Sequence, residues 1–457
     1  MSKITRRQLG SVAAGSAVGA PALLSQIGKP PNIIWLTGED MGPELGCYGR
    51  SLVQTPNLDW LASQGVRFNR AFCTAPVCSA SRSAFMTGAY QTTTGTHNHR
   101  SHRKDGYRLP PYARPITDRL RDQGYFTCNV RNVAPGIGGS GKTDFNWDAG
   151  KPFDGTHWNQ RQAGQPFFAH INYTAPHKGP QFPRARKQKY LVDPAKLELP
   201  PYWPDHPVVR DEYANFLDAI NLLDSDIGVT FDALRKDGLM ENTIIMFFGD
   251  NGRCLIRGKQ WLYDAGTHVP LLIRWPGGEA KPGSVRDDLT LLLDVTATTL
   301  TMAGIELPAE KFDGRPLFGP KASPRTEIFT ARDRCDMTYD RIRAVRTDRY
   351  KYIHNFAPDR PYTQWNNYIE TSYPTQGVMK QLYAEGKLND AQSLFMAARK
   401  PDEELYDLQA DRHEVNNMAG SAQHRGVLMD LRRRVDKWID DSGDQGRFPE
   451  TQAAFEL

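Results

Sequence analysis

Residues 78–88 read Cys-Ser-Ala-Ser-Arg-Ser-Ala-Phe-Met-Thr-Gly. This stretch predicts the beginning of a helix, with Arg82 one turn after Cys78 on the same face. The N-terminus of a helix presents unpaired N–H groups and the positive end of the helix dipole, so it favours a bound anion. We therefore expect an anion site that contains a cysteine and an arginine. Taken alone, Cys78 is equally compatible with a small buried hydrophobic residue.

Two apolar runs, residues 32–37 and 243–248, predict strands buried on both faces of a parallel sheet. Oxygen-bearing side chains follow both runs: Glu39, Asp40, Asp250 and Asn251. Open α/β sheets bind ligands at the carboxyl ends of their strands, and this donor set suits Ca²⁺ or Mg²⁺. Each acidic pair alone is compatible with a solvated turn. Both together predict a metal site.

Helical and strand patterns alternate between these runs, which predicts an α/β fold. A helix is expected from Pro56, with Thr55 as its N-cap. The strand over 166–173 is followed by His177, which is a candidate acid or anion ligand. Other predicted strands cover 66–72, 125–130, 327–330, 342–346 and 349–354, and other predicted helices cover 115–123, 210–236 and 425–439.

The motif at Cys78 resembles the Cys-x-[Pro/Ala]-Ser-Arg motif of type I sulfatases, in which the cysteine is oxidised to formylglycine and becomes the nucleophile. The resemblance extends from about Pro31 to Met418, with its blocks in the order found in sulfatases. It implies an α/β, alkaline-phosphatase-like fold, in which a large mixed sheet lies between helices. A smaller C-terminal α+β subdomain with a small antiparallel sheet is implied as well.

The resemblance also implies roles for individual residues. A divalent cation, Ca²⁺ or alternatively Mg²⁺, is expected at Glu39, Asp40, Cys78, Asp250 and Asn251. The catalytic residues are expected to be Cys78, Arg82, Lys142, His177, Lys259 and Asp250. In this set Asp250 is the base at the nucleophile, the cationic side chains hold the sulfate, and His177 or Lys259 protonates the leaving group.

Three segments resemble the heparan N-sulfatase (sulfoglucosamine sulfohydrolase) type within this family. They are the histidines His97, His99 and His102, the block from Met337 to Arg346, and the block from Glu404 to Ala419. The last block is widespread among sulfatases. The resemblance implies a sulfated saccharide as substrate, with N-sulfoglucosamine of heparan-type glycans as one candidate.

Two positions depart from the family pattern. Glu39 stands where many sulfatases have aspartate, and Asp144 stands where many have a histidine. An ionised carboxylate cannot donate a hydrogen bond to sulfate. The contact at position 144 is therefore lost, provided by another histidine, or used for substrate hydroxyls.

The N-terminal residues 1–28 combine Arg6-Arg7 with a mildly apolar stretch and resemble a twin-arginine export signal. A disordered tail is the alternative. Residues 29–320 are expected to form the catalytic domain and 321–457 the C-terminal subdomain. The protein is expected to be periplasmic or extracellular without a stable membrane span, and to meet a formylglycine-generating enzyme during maturation.

Composition limits the other classes of function. The net charge of +5 includes three positive charges in the export segment, so it gives no argument for nucleic-acid binding. Two alternatives remain open. The chain is a phosphoester or phosphonate hydrolase of the same superfamily, or it is a sulfated-glycan-binding protein without activity if Cys78 is never oxidised. The aromatic residues Tyr362, Trp365, Tyr368 and Tyr373 are expected to line a sugar subsite or to pack in the core.

Overall fold

The computed structural model describes residues 30–455, except 132, 134–138 and 180. The proposed export signal, 1–28, lies outside the described residues. The strands are β1 Asn32–Gly38, β2 Val66–Phe72, β3 Phe126–Val130, β4 Phe167–Tyr173, β5 Thr243–Gly249, β6 His268–Arg274, β7 Ser284–Arg286, β8 Thr290–Leu291, β9 Glu327–Arg332, β10 Ile342–Thr347, β11 Tyr350–Asn355 and β12 Glu403–Asp407. The α-helices are α1 Pro56–Ser63, α2 Cys78–Thr87, α3 Ile116–Asp122, α4 Gln181–Ala185, α5 Pro207–Lys236, α6 Asp264–Thr267, α7 Leu292–Met302, α8 Asn367–Ser372, α9 Pro374–Ala384, α10 Asp390–Ser393 and α11 Arg425–Ser442.

The larger sheet has eight strands in the order β3-β4-β1-β5-β6-β2-β7, with β8 paired to β2. The strands β3, β4, β1 and β5 are parallel to one another. Because β6 is antiparallel to both β5 and β2, β2 runs in the same direction as β5. The carboxyl ends of all these strands except β6 therefore lie at one edge. The mixed α/β sheet expected from the sequence is confirmed.

Helices cover both faces of this sheet. Trp35 of β1 points to one face, where its ring packs edge-on against Phe85 of α2 and Phe248 of β5. Its neighbours Ile34 and Leu36 belong to the core on the other face, which includes apolar residues of α1 and α5. All three β1 side chains are fully buried. This burial explains why β1 is an unbroken apolar run.

The smaller sheet is antiparallel, in the order β12-β11-β10-β9. Apolar side chains of α11 pack on it in a cluster that also contains Phe72 and Leu291 from the larger sheet. From Pro31 onward the chain forms one compact unit. The C-terminal sheet and terminal helix are thus present, whereas the domain boundary at 320/321 stays a prediction.

The six cysteines carry free thiols. Within the described ranges, none of the helices has the length and apolar character needed to cross a membrane.

Candidate active site

The ends of β1 and β5 bring the expected metal ligands together. Gly38 and Gly249 pair in register, so the residues that follow them leave the sheet side by side. The backbone N–H of Asp40 donates to Asp250 Oδ1 at 2.9 Å. The four side chains that follow these strands are buried: Glu39, Asp40, Asp250 and Asn251.

Cys78 is the first residue of α2 and is 1% exposed. Its thiol donates to Asp40 Oδ1 at 3.4 Å, and Lys259 Nζ donates to its Sγ at 3.1 Å. Burial and the negative charge of Asp40 raise the pKa of the Cys78 thiol well above its ordinary value. The unmodified side chain is therefore a protonated thiol, which is a poor nucleophile.

Arg82 lies one turn along α2 and is fully buried. Its Nε donates to Asp250 Oδ2 at 3.1 Å, and its Nη2 lies 3.4 Å from Glu39 Oε1. The same Nη2 donates to Asn172 Oδ1. Arg82 Nη1 is buried without a hydrogen-bond partner. The guanidinium thus holds two carboxylates in place and keeps one nitrogen for an anion.

The three buried carboxyl groups titrate differently. Burial opposes ionisation at each of them. At Glu39 burial is the largest single influence, but Lys142 and Arg82, together with His177, outweigh it, so the pKa of this carboxyl is lowered. Lys259 lowers the pKa of Asp40 in the same way. At Asp250 burial prevails and raises the pKa to about 6.

Lys142 and Asp144 follow β3 on the same side of the pocket. Lys142 Nζ lies 2.7 Å from Glu39 Oε1 and 3.4 Å from Asp144 Oδ2. Asp144 also pairs with Arg103. Burial opposes its ionisation, but the charge of Lys142 and its other cationic neighbours hold the pKa of Asp144 below its usual range. Asp144 is therefore an ionised acceptor.

Lys259 and His177 both lie beside Asp40, and burial lowers the pKa of His177 below its ordinary value. Lys259 Nζ donates to Asp40 Oδ2 at 2.8 Å, and His177 Nε2 lies 3.7 Å from the same oxygen. The Tyr368 ring centre is 5.9 Å from Lys259 Nζ and 6.1 Å from the His177 ring centre. The structure therefore brings all the predicted site residues to one centre: Glu39, Asp40, Cys78, Arg82, Lys142, His177, Asp250, Asn251 and Lys259.

Sequence reasoning missed one contributor to this centre and one carboxylate in a neighbouring cluster. Asn172 of β4 donates to Glu39 Oε1 at 3.0 Å and accepts from Arg82. An amide in a largely apolar strand, just before its carboxyl end, is a signal that was available. Asp336 was also missed. It lies 2.9 Å from His99 Nδ1 across more than 200 residues of chain, and no sequence pattern links the two.

Known proteins share this fold and much of this sequence. The sulfatase family profile matches residues 31–147 and 148–305. An ulvan-active sulfatase of Formosa agariphila is 32% identical over 96% of this chain and 80% of the relative. The chain belongs to the sulfatase family.

The C-terminal part of this sulfatase-family chain matches a second profile, the C-terminal region of N-sulphoglucosamine sulphohydrolase, over residues 256–397. The human N-sulphoglucosamine sulphohydrolase is 26% identical over 91% of both chains. The predicted likeness to the heparan N-sulfatase type is thereby confirmed.

Solved structures with this fold include two whose substrates belong to different chemical classes. One is a protein in complex with its substrate D-glucosamine-2-N,6-O-disulfate, with a TM-score of 0.62 and 18% identity over 91% of this chain and 99% of that one. The other is the phosphonate monoester hydrolase of Agrobacterium radiobacter, with a TM-score of 0.64 and 17% identity over 93% and 99%. At this level of identity the similarity shows the fold alone.

The aromatic segment of this sulfatase-family chain divides between core and pocket. Tyr362 is 4% exposed and Tyr373 is 2% exposed, and both pack in the core. Trp365 is 64% exposed. Only Tyr368 of the four has its ring beside Lys259 and His177.

Proposed function

We propose that this protein hydrolyses a sulfate ester or sulfamate of a sulfated carbohydrate, with a formylglycine derived from Cys78 as nucleophile. The observation that carries the proposal is the position of Cys78. It begins a helix, lies beside the carboxylate of Asp40, and is reached by the ammonium group of Lys259. A cysteine that served only as core packing would not need buried charges around it.

The residues fit a divalent cation. Asp40, Asp250 and Glu39 are buried carboxylates within one centre, and Asn251 Oδ1 is buried without a hydrogen-bond partner. Such an all-oxygen set suits Ca²⁺, with Mg²⁺ as the alternative. When bound, the ion supplies positive charge that polarises a sulfate oxygen and favours an alkoxide at position 78.

The chain's own side chains supply the other functions. Formylglycine reacts as its hydrate, and Asp250 accepts the proton from the hydroxyl of this hydrate that attacks the sulfur atom. Arg82, Lys142 and Lys259 donate to the sulfate oxygens as negative charge spreads over them. His177 Nε2 or Lys259 Nζ then donates a proton to the leaving oxygen or nitrogen, which frees the saccharide hydroxyl or amine and leaves the sulfate bound to residue 78. The second hydroxyl of the formylglycine hydrate then loses its proton and collapses to the aldehyde, which breaks the bond to the sulfate and releases it. Water rehydrates the aldehyde.

N-sulfoglucosamine of heparan-type glycans is the first substrate to test. The match to the C-terminal region of N-sulphoglucosamine sulphohydrolases supports it, because that region includes the pocket residues Lys259, Asp336 and Tyr368. The ulvan-active relative supports a wider class of sulfated polysaccharide. A saccharide panel should therefore include N-sulfated and O-sulfated sugars.

Maturation and export belong to the same proposal. A formylglycine-generating enzyme oxidises Cys78, and residues 1–28 direct the protein to the periplasm or the exterior.

The decisive experiment is peptide mass spectrometry of the fragment that contains Cys78, after co-expression with a formylglycine-generating enzyme, together with sulfate release by the same sample. We expect the thiol to be replaced by an aldehyde or its hydrate, and the activity to follow the converted fraction. The Cys78→Ala variant should release no sulfate above background, whereas Cys47→Ala, which changes a cysteine outside the pocket, should be unaffected.

The same sample distinguishes the alternative functions. Release of phosphonate or phosphate faster than sulfate would assign the chain to phosphoester or phosphonate hydrolysis. An unconverted cysteine in protein that binds sulfated glycan without releasing sulfate would identify a glycan-binding protein.

A further inference from the structure

One histidine beside the site has no role in the reaction described above. His99 is 4% exposed, and its Nδ1 lies 2.9 Å from Asp336 Oδ1. Asp336 is held in turn by Asn366, whose Nδ2 donates to its other oxygen at 3.2 Å. His99 Nε2 is buried and has no hydrogen-bond partner. A buried polar atom without a partner in an otherwise anchored side chain points to a ligand.

This pair stands next to the nucleophile. The backbone N–H of Arg100 donates to Ser79 Oγ at 2.8 Å, which places the His99 loop against the first turn of α2. Cys335 packs in a small apolar cluster with Ala75, Val77 and Ala80, the residues that flank Cys78. Both partners of the pair, His99 and Asp336, are therefore fixed beside residue 78 by their chain neighbours.

The protonation of His99 follows from its partner. An ionised carboxylate only accepts, so the proton is on Nδ1 and Nε2 is an acceptor. Burial lowers the pKa of His99 below its ordinary value, although Asp336 opposes the shift. The ring is therefore neutral near pH 7. His99 thus offers an acceptor, not a cation, in the loop that lies against the first turn of α2.

Asp144 contributes a second acceptor nearby. It is 8% exposed, and its Oδ2 is buried without a hydrogen bond although Lys142 Nζ is 3.4 Å away. Arg100, the residue after His99, reaches within 4.0 Å of the other carboxylate oxygen. Asn146 Nδ2 donates to the carbonyl oxygens of Thr96 and Asn98 at 2.8 and 2.7 Å, so the segment that carries Asp144 lies against the loop that carries His99.

The pocket therefore has two sides with opposite hydrogen-bonding character. Arg82, Lys142 and Lys259 are donors and suit the sulfate. We propose that His99 and Asp144 form the acceptor side and bind hydroxyl groups of the sugar ring that carries the scissile sulfate, with Asp336 as the positioning residue of His99. The inference rests on the proposed function and assigns to Asp144 a contact with substrate hydroxyl groups.

The test compares two substrates that share a sulfate and differ in hydroxyl groups. One is the best monosulfated saccharide from the panel, and the other is 4-nitrophenyl sulfate, which has no sugar. For His99→Phe we expect kcat/KM on the saccharide to fall about 10- to 100-fold, and kcat/KM on 4-nitrophenyl sulfate to stay within about three-fold. Asp144→Asn also changes the charge beside Lys142, which contacts the sulfate of both substrates, so we expect a loss on both that is at least about 10-fold larger on the saccharide. Asp336→Asn should raise KM for the saccharide with little change in kcat.

The matched control is His102→Gln. His102 lies in the same loop, but its ring nitrogens contact Asp105 and the Gly95 carbonyl, and its ring stacks on Tyr107. Both substrates should be hydrolysed as by the wild type. Melting temperature and formylglycine content are measured for every variant. His99→Phe and Asp144→Asn test the inference independently, so if one variant does not fold, the other still decides.

Three outcomes would overturn the inference. They are equal losses on both substrates, no loss on the saccharide, and a wild-type enzyme that prefers none of the saccharides to 4-nitrophenyl sulfate. Failure of the proposed function gives a different result, because wild-type protein with formylglycine would then release sulfate from neither class of substrate.

Discussion

Arg82 shows how one side chain joins structure to chemistry. Its fork contacts Asp250 through Nε and Glu39 through Nη2, and all three side chains are buried. A lysine carries the same charge but ends in a single ammonium, so it cannot contact both carboxylates in this geometry.

We therefore expect Arg82→Lys to lower the free energy of unfolding by about 3 kcal/mol, because one buried carboxylate loses its partner. Sulfate release should fall by at least about 100-fold. Urea denaturation and kinetics of the converted enzyme measure both effects. Arg70→Lys, at a partly exposed ion pair with Asp348, is the control and should change stability by less than about 0.5 kcal/mol. An Arg82→Lys protein as stable as the wild type would refute the argument.

For single residues, the sequence predicted which side chains form the site better than it predicted which side chains they contact. The order of motifs located Cys78, Lys142 and Lys259, and the chemistry of Asp144 excluded it as a sulfate donor. The sequence did not predict that Arg82 holds carboxylates, or that Asp336 orients His99, because those partners come from distant segments whose contacts depend on the tertiary fold.

The start of α1 illustrates the same limit for a whole element. Thr55 occupies the N-cap position as expected, but its hydroxyl does not cap the helix; it accepts from the Gly46 N–H and donates to Asp59. The first N–H groups of α1 are instead bound by the Asp224 carboxylate of α5, with Leu58 N at 2.8 Å from its Oδ1. The cap is supplied by another helix, which a local pattern cannot predict.

This contact makes the α1–α5 packing sensitive to pH. Burial raises the pKa of Asp224 to about 6, although hydrogen bonds from Leu58 and Asn57 oppose the shift. Because the unfolded carboxyl ionises at lower pH than the folded one, stability is lost as the pH rises from about 4 to about 6, by about 3 kcal/mol.

Asp224→Asn should remove this pH dependence. The free energy of unfolding of wild type and variant is measured by urea denaturation at intervals across that pH range. The stability of the wild type should fall relative to that of the variant as the pH rises. Asp232→Asn, at an exposed position of the same helix, should give a constant difference. A constant difference for Asp224→Asn would show that the carboxyl is not perturbed.

For the whole molecule, the two sheets are joined by buried charge as well as by apolar packing. Asp264 of α6, just before β6 of the larger sheet, pairs with Lys351 of β11 at 2.5 Å and with the Arg346 guanidinium of β10 at 3.2 Å. Separating the sheets would leave these charges unpaired. We therefore expect them to unfold together.

Calcium should stabilise this single unfolding unit. Binding only to the folded state raises the free energy of unfolding by about 2.7 kcal/mol at a concentration 100 times Kd. Calorimetry with Ca²⁺, with Mg²⁺ and with chelator should show one transition that shifts as a whole, and Asp250→Asn should reduce the shift. Two transitions, of which only one responds to calcium, would instead support independent domains divided near residue 320.

The sequence predicted the larger architecture through periodicity and family resemblance, including most strands and the terminal helix. It did not predict the position of β2 between β6 and β7. Strand order depends on long-range pairing, and the apolar runs of several buried strands are interchangeable in pattern.

Three aspartates around the pocket, Asp40, Asp144 and Asp336, have φ values of 52°, 54° and 49°. Side chains other than glycine are disfavoured there, and replacement by glycine would relax the backbone by about 1 kcal/mol at each position. That gain is opposed at Asp40, because glycine there would leave the buried ammonium group of Lys259 without its carboxylate. Asp144 and Asp336 likewise pair with Arg103 and His99. A search for thermostable variants would therefore find the backbone gain only together with changes at these partners, around the positions where the metal, the sugar and the orienting carboxylate are expected to act. Such a search therefore has to measure turnover of a saccharide as well as melting temperature. The backbone conformation at these positions favours glycine, whereas the proposed chemistry requires the aspartate carboxylates.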